Sequence, residues 1–453
     1  MEDRRSTNTK INSDLLGPVN KPGRGWYLTV AVSGLLVLAA IGALGYQFTR
    51  GLGVWGINRP VFWALDITNF VFWIGISHAG TLISAILRVT GAEWRRPVTR
   101  CAEAITVFAL MIGALFPIIH LGRPQFFYWL VPYPNERGLW PNFRSPLAWD
   151  FFAINTYLLG SIIYLYLPLI PDLALLRDKT RGLRSRLYGA LSLGWSGTEL
   201  QWDRLERAVR VMAVVIIPVA VSVHTIVSWD FAMTIRPMWH STMFGPYFVA
   251  GAIFSGIGAL IIAMAVIRRV FRLEEYLRPI HFNNLGLLLL TMSLIWFYFT
   301  FGEYLTAWYG NEPEEMAVFH SKMSGAYSPL FWGTVFCCFL IPAPILAFKR
   351  FRTISGTVIA SMLVVIGMWF ERFLIIVPTL AHPRFTFNWG TYSPTWVELT
   401  LTAGTFGYFV LLYSIFVRLF PIIAIWEYKE GSAVQGKSSP SSSMVPSTLT
   451  ETN

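Results

Sequence analysis

Ten long apolar stretches run through the chain, at about residues 26–48, 61–88, 98–120, 147–176, 207–229, 241–268, 281–309, 328–349, 354–379 and 395–425. Each is long enough to cross the ~30 Å hydrocarbon core as a helix. They are continuous runs rather than the alternating segments of about ten residues that mark barrel strands, and only helices and closed barrels satisfy every backbone group in lipid. The predicted fold is therefore all-α, a polytopic membrane protein with ten transmembrane helices. Residues 1–25 are polar and lack the apolar core of a signal peptide, so they are expected to form an uncleaved tail. From Lys429 onward the sequence is rich in Ser, Thr and Pro, and a disordered second tail is expected there, leaving 26–428 as one membrane domain.

Composition sharpens this reading. A chain of 453 residues would suggest three soluble domains at about 150 residues each. Its 13% charged residues, against about 25% in soluble domains, set that count aside. A net charge of +11 would point a soluble protein towards nucleic acid, but here the distribution explains it. The N-terminal tail, every second loop and the end of the chain from Arg418 carry 27 Lys and Arg; the intervening loops carry 8; the remaining one, Arg372, lies within a span. Basic residues collect on the cytoplasmic side, so both termini are expected there and no nucleic-acid partner is. Cys101, Cys337 and Cys338 form no CxxC pair or other ligand set, and no span repeats histidines at the spacing of a di-haem core. No metal and no cofactor bound by this chain itself is expected.

Ionisable groups inside the spans are costly and so point to function. His78 lies twelve residues into span 2 from Asp66, about 18 Å deeper at 1.5 Å per residue, near the midplane. Asp66, His120, Asp150, His224 and Asp230 fall towards the outer ends of spans 2 to 5, with Arg123 and Arg236 in the loops above. A lone Asp at a helix start is more often an N-cap, which would suit Asp150, and a lone interfacial His is more often an anchor. Five such groups at one depth favour a functional cavity instead. Glu303, Glu371 and Arg372 make a second set in spans 7 and 9, as relay groups or as interhelical contacts. As adjacent residues, Glu371 and Arg372 are not expected to form a self-contained pair. Thr81, Ser84, Thr106 and Glu103 extend a polar path inward from His78.

A His–Asp pair beside an aromatic-lined slot suits quinol oxidation, which releases two protons and two electrons. With no electron carrier here, the acceptor must belong to another subunit. A secondary transporter is the rival reading, though its ionisable groups would sit at broken helices near the midplane. A purely structural anchor leaves the clustered carboxylates unexplained.

The stretches WALDITNFVFWIGISHAGTLISA, PIIHLGRP, SPLAWDFFAINTY and SVHTIVSWDFAM, in this order on consecutive helices, resemble the NrfD/PsrC family of quinone-interacting membrane subunits. The ten-span form is most similar to the ActC branch found in alternative complex III, and the likeness covers about residues 26–425. It implies two four-helix bundles, spans 2–5 and 6–9, with flanking helices and no cofactor. It further implies His120 and Asp150 as the catalytic pair, with Arg123, Asp230, His224 and Asp66 around the quinol. His78, Glu103, Glu303, Glu371 and Arg372 fall to proton transfer. Expected partners are an iron–sulfur subunit on the periplasmic side, multihaem and monohaem cytochromes c, an ActF-like membrane paralogue and membrane lipid. The expected substrate is quinol, menaquinol by that resemblance, and the expected location the bacterial inner membrane. The LGRP and SWDFA signatures favour ActC over the paralogue.

Overall fold

The computed structural model describes residues 2–20, 23–130, 138 and 143–438, and all its regular structure is helical. Ten of its helical segments are long and apolar enough to cross a membrane, at the places where the apolar runs predicted them. The chain begins with α1 (Glu2–Asn20) and the first span α2 (Arg24–Arg50), followed by α3 (Leu65–Val89). Span 3 is broken into α4 (Thr99–Gly113) and α5 (Phe116–His120); span 4 is α6 (Pro146–Tyr166) continued by α7 (Ile170–Lys179). After α8 (Leu183–Leu191) come α9 (Glu199–Ala232), α10 (Phe244–Val270), α11 (Pro279–Gly310) and α12 (Pro313–Met323). Span 8 joins α13 (Ser328–Val335) through a π-helical turn to α14 (Pro342–Ala347); α15 (Ile354–Ala381), α16 (Trp396–Leu419) and α17 (Ile425–Ser438) follow.

Helices α3, α4, α6 and α9 pack as one group and α10, α11, α13–α14 and α15 as another, joined mainly where α3 lies against α10 and α15. Small residues set the closest approaches. A Cβ on Gly80 of α3 would stand 1.8 Å from the Ala102 carbonyl oxygen of α4, so only glycine lets these backbones meet. Helices α2 and α16 pair outside the two groups, with Gly404 against Ala40 and Gly407 against Leu36.

Both tails differ from expectation. The first carries α1, whose Ile11, Leu15, Leu16 and Val19 are buried, and it packs against α16 and α17. Those four positions follow helical spacing, a face too short to register as a span. At the other end α17 runs to Ser438 because Arg88 and Arg95 grip Glu427; the tail from residue 439 lies outside the described residues.

Candidate functional site

At one end of the α3–α9 group, Asp66 opens α3. Its Oδ1 accepts from the Ala64 backbone N–H at 2.9 Å, a local cap, and its Oδ2 takes a hydrogen bond from His120 Nδ1. The bend between α4 and α5 at Ala114–Leu115 turns His120 back onto α3. An ionised carboxylate only accepts, so Nδ1 carries the proton and Nε2 is left as the basic nitrogen. Asp66 is fully buried while the His120 side chain is 29% exposed, so the base has access and its partner does not. Trp63 sets its ring edge on His120 and stacks on Trp239.

The sequence reading paired His120 with Asp150, and the structure pairs them otherwise. Asp150 on α6 neighbours Asp230 on α9, and both are buried. Their Oδ1 atoms are buried and accept from no donor group of the protein. Nor is Asp150 an N-cap: the cap is Ser145, and Asp150 lies a full turn inside α6. Arg123 is exposed in the loop directly after His120, where residues 131–137 and 139–142 lie outside the described residues. Arg236 sits over the Phe62 ring at 5.5 Å.

His224 also departs from the reading that placed it at this end. Its ring lies 4.5 Å from that of His78, centroid to centroid, six residues deeper than Asp230 on α9. His78 bridges the Ile74 carbonyl at 2.8 Å and the Ala220 carbonyl at 2.6 Å, tying α3 to α9. Phe248 packs on His224 and carries the Arg372 guanidinium 4.7 Å above its ring. Glu371 and Arg372 approach each other to 3.3 Å without a hydrogen bond between them, so the pair is not self-contained. Successive residues diverge by about 100° around a helix. Their long side chains nonetheless converge, and Gly251 of α10 leaves the room, since a Cβ there would stand 2.7 Å from Arg372 Nη2.

Glu371 and Glu303 line a cavity of about 40 Å³ in the second group together with Trp296, Tyr247 and Lys322. Ser241 donates to Glu303 at 2.7 Å. Lys322, on α12 beyond the spans, was not singled out in the sequence; as the only Lys or Arg of its loop it was the available signal. Burial pushes its ammonium down to about 8, against the pull of Glu303 and Glu371. Towards the opposite end, Ser84 donates to Glu103 at 2.7 Å and lies 3.3 Å from the Tyr164 hydroxyl. Beyond them Glu427 bonds Arg88, and Arg95 at 3.0 Å. Burial would raise that carboxyl, but Arg88 and Arg95 outweigh it and hold it below its ordinary range. Glu427 follows the last apolar run, where no span pattern pointed to it; the arginines around residues 88–100 were the signal.

The geometry defines a multi-pass membrane protein with an oriented histidine base and a buried carboxyl pair towards one end of a helix group. Its family follows from sequence comparison: residues 53–383 match the model described as "Polysulphide reductase, NrfD", and the chain belongs to that family. It is 30% identical over 255 residues to a putative dimethyl sulfoxide reductase membrane subunit of Halobacterium salinarum, covering 56% of this chain and 54% of the relative. It is 24% identical over 431 residues to a selenate reductase subunit of Mesobacillus selenatarsenatis, covering 91% and 98%. With an Hdr-like menaquinol oxidoreductase integral membrane subunit of Archaeoglobus fulgidus it shares 24% identity over 232 residues, 50% and 48% of the two chains. The chain thus spans about half the length of two of these relatives and nearly all of the third.

Proposed function

We propose that this chain is the quinol-binding and quinol-oxidising membrane subunit of an electron-transfer complex of the alternative complex III type. The observation that carries the proposal is the pairing of a buried Asp66 with a partly exposed His120. A base held by an orienting carboxylate is poised to take a proton. In this reading His120 Nε2 takes one hydroxyl proton, and Asp150 orients or accepts from the other hydroxyl with Asp230 completing the pocket. The two electrons leave for an iron–sulfur subunit on the outer face and onward to cytochromes c. An ActF-like paralogue completes the membrane part. Menaquinol is the substrate, in keeping with the menaquinol oxidoreductase named among the relatives.

The end bearing His120 faces the outside of the cytoplasmic membrane, because the opposite end carries most of the arginines and lysines. His78, Glu103, Glu303, Glu371 and Arg372 serve proton movement coupled to this oxidation. The test is His120→Ala and Asp150→Asn, made separately in the whole complex, with quinol-driven cytochrome reduction as readout. Each is expected to slow turnover by about 10²- to 10⁴-fold, the worth of a general base, with assembly retained. Two assembled variants that turn over at near parental rates would show that the site lies elsewhere.

A further inference from the structure

We infer that the isoprenoid tail of the quinol lies in an apolar groove between α2, the α4–α5 bend and α16, and that this groove selects for tailed quinols. The inference rests on the quinol reading above and adds a second binding region, away from the proton-accepting groups. The groove has a volume of about 300 Å³, and its walls include Ile41, Leu44, Leu115, Ile119, Gly404 and Tyr408. Its back is pinched shut where Gly404 meets Ala40, and a Cβ at Gly404 would stand 2.2 Å from the Ala40 Cβ. From Ile112 to Ile119 and from Val37 to Leu44 it follows the helices for about 10 Å at 1.5 Å per residue.

What covers this groove is indicated by how it ends. Much of helix α2 is exposed and apolar, with Leu28, Leu35, Leu38 and Ile41 uncovered, yet three residues past Leu44 it carries a fully buried Gln47. Gln47 donates to the Ile119 carbonyl at 2.8 Å and accepts from Trp55 Nε1 at 3.0 Å. The next residue after Ile119 is His120. An apolar trough that closes on a polar plug beside the proton acceptor fits an amphiphile with a long hydrocarbon tail and a hydroxylated head. An ordinary lipid chain would need only the trough. A second apolar groove, about 370 Å³ between α6 and α9 and lined by Phe152 and Thr156, draws none of its walls from α5.

The experiment uses the assembled complex carrying Ile41→Trp. This position is exposed, at 59%, so the added ring enters the groove without disturbing the core. Turnover is measured with a menaquinol bearing its isoprenoid tail and with a tail-less ring analogue, and Thr156→Trp probes the other groove. The expected result is a fall in kcat/KM of about tenfold or more for the tailed quinol, the scale on which one or two lost methylene contacts act. The tail-less analogue should be oxidised at the parental rate, and Thr156→Trp should change neither. An equal loss on both substrates, no loss on either, or a selective loss from Thr156→Trp overturns the groove assignment while leaving quinol oxidation standing. A parental complex that oxidises neither substrate overturns the function and the groove with it.

Discussion

The pairing of His120 with Asp66 and of Asp150 with Asp230 makes a quantitative demand on double variants. In Asp66→Asn the amide can still accept from Nδ1–H, but the charge that fixes the tautomer and stabilises the imidazolium is gone. Groups that act as a unit are strongly non-additive, because losing either removes what both supply. Taking about 10³ for a single loss, or about 4 kcal/mol, independent contributions would multiply to about 10⁶, while a true unit would stop near 10³. The Asp66→Asn/His120→Ala double variant is therefore expected to turn over about as slowly as the worse single one. His120→Ala/Asp150→Asn should fall well below either single variant, since those groups belong to different pairs. The assay is quinol-driven reduction of the complex's acceptor, with assembly checked by co-purification. The reverse pattern, multiplication within Asp66/His120 and saturation within His120/Asp150, would falsify the pairing and restore the one read from sequence.

Other expectations follow from single features. Gly80→Ala forces α3 away from α4, so the variant should lose thermal stability by an overpacking cost of about 1–3 kcal/mol or fail to assemble, read from a melting curve of the purified complex. Glu427→Gln breaks a buried pair worth about 3–5 kcal/mol, and should expose α17 to protease while the ten spans stay intact. Because the Glu427 carboxyl is held below its ordinary 4.5 in the folded chain, that contribution is present above pH 4.5 and is lost as the pH falls through the lower folded value. Protease sensitivity of α17 should accordingly rise only below pH 4.5, and a rise already at pH 6 would contradict it. A visible spectrum of the isolated chain should show no haem or flavin band; a Soret band would refute the reading of its ligands. Reporter fusions at Lys429 should be active in the cytoplasmic and silent in the exported form.

The spans were legible because lipid leaves the backbone no alternative: a long apolar run must be a helix, and its length fixes its ends to within a few residues. Depth was partly legible, since residue rise places His78 well below Asp66. Pairings across helices were not. The loop between His120 and Asp150 is long and sets no distance, so consecutive order suggested a partner that the bend at Leu115 denies. His224 was misplaced because one helix position was read as an end rather than as six residues in from it. The buried face of α1 was written in Ile11, Leu15, Leu16 and Val19, but among polar neighbours so short a face looks like a tail. Glu427 lies beyond the last run, and only its unpaired-looking arginines announced that something must meet them.

Those arginines have a consequence for how the protein is made. Arg100 is buried on α4, and besides Asp172 at 2.5 Å it donates to the carbonyls of Pro421 at 3.0 Å and Ile423 at 3.4 Å. Arg88 and Glu427 are 339 positions apart. The second and third spans leave the ribosome early, but their positive charges meet these acceptors only when the segment after the tenth span emerges. Helices already threaded through the insertion machinery must therefore wait, with buried cations incompletely neutralised, until all ten spans have been made. A chain stopped before residue 421 keeps all ten spans and still lacks the acceptors that close its basic end. The segment after the tenth span thus closes the basic end of the protein only once the chain beyond that span has been made.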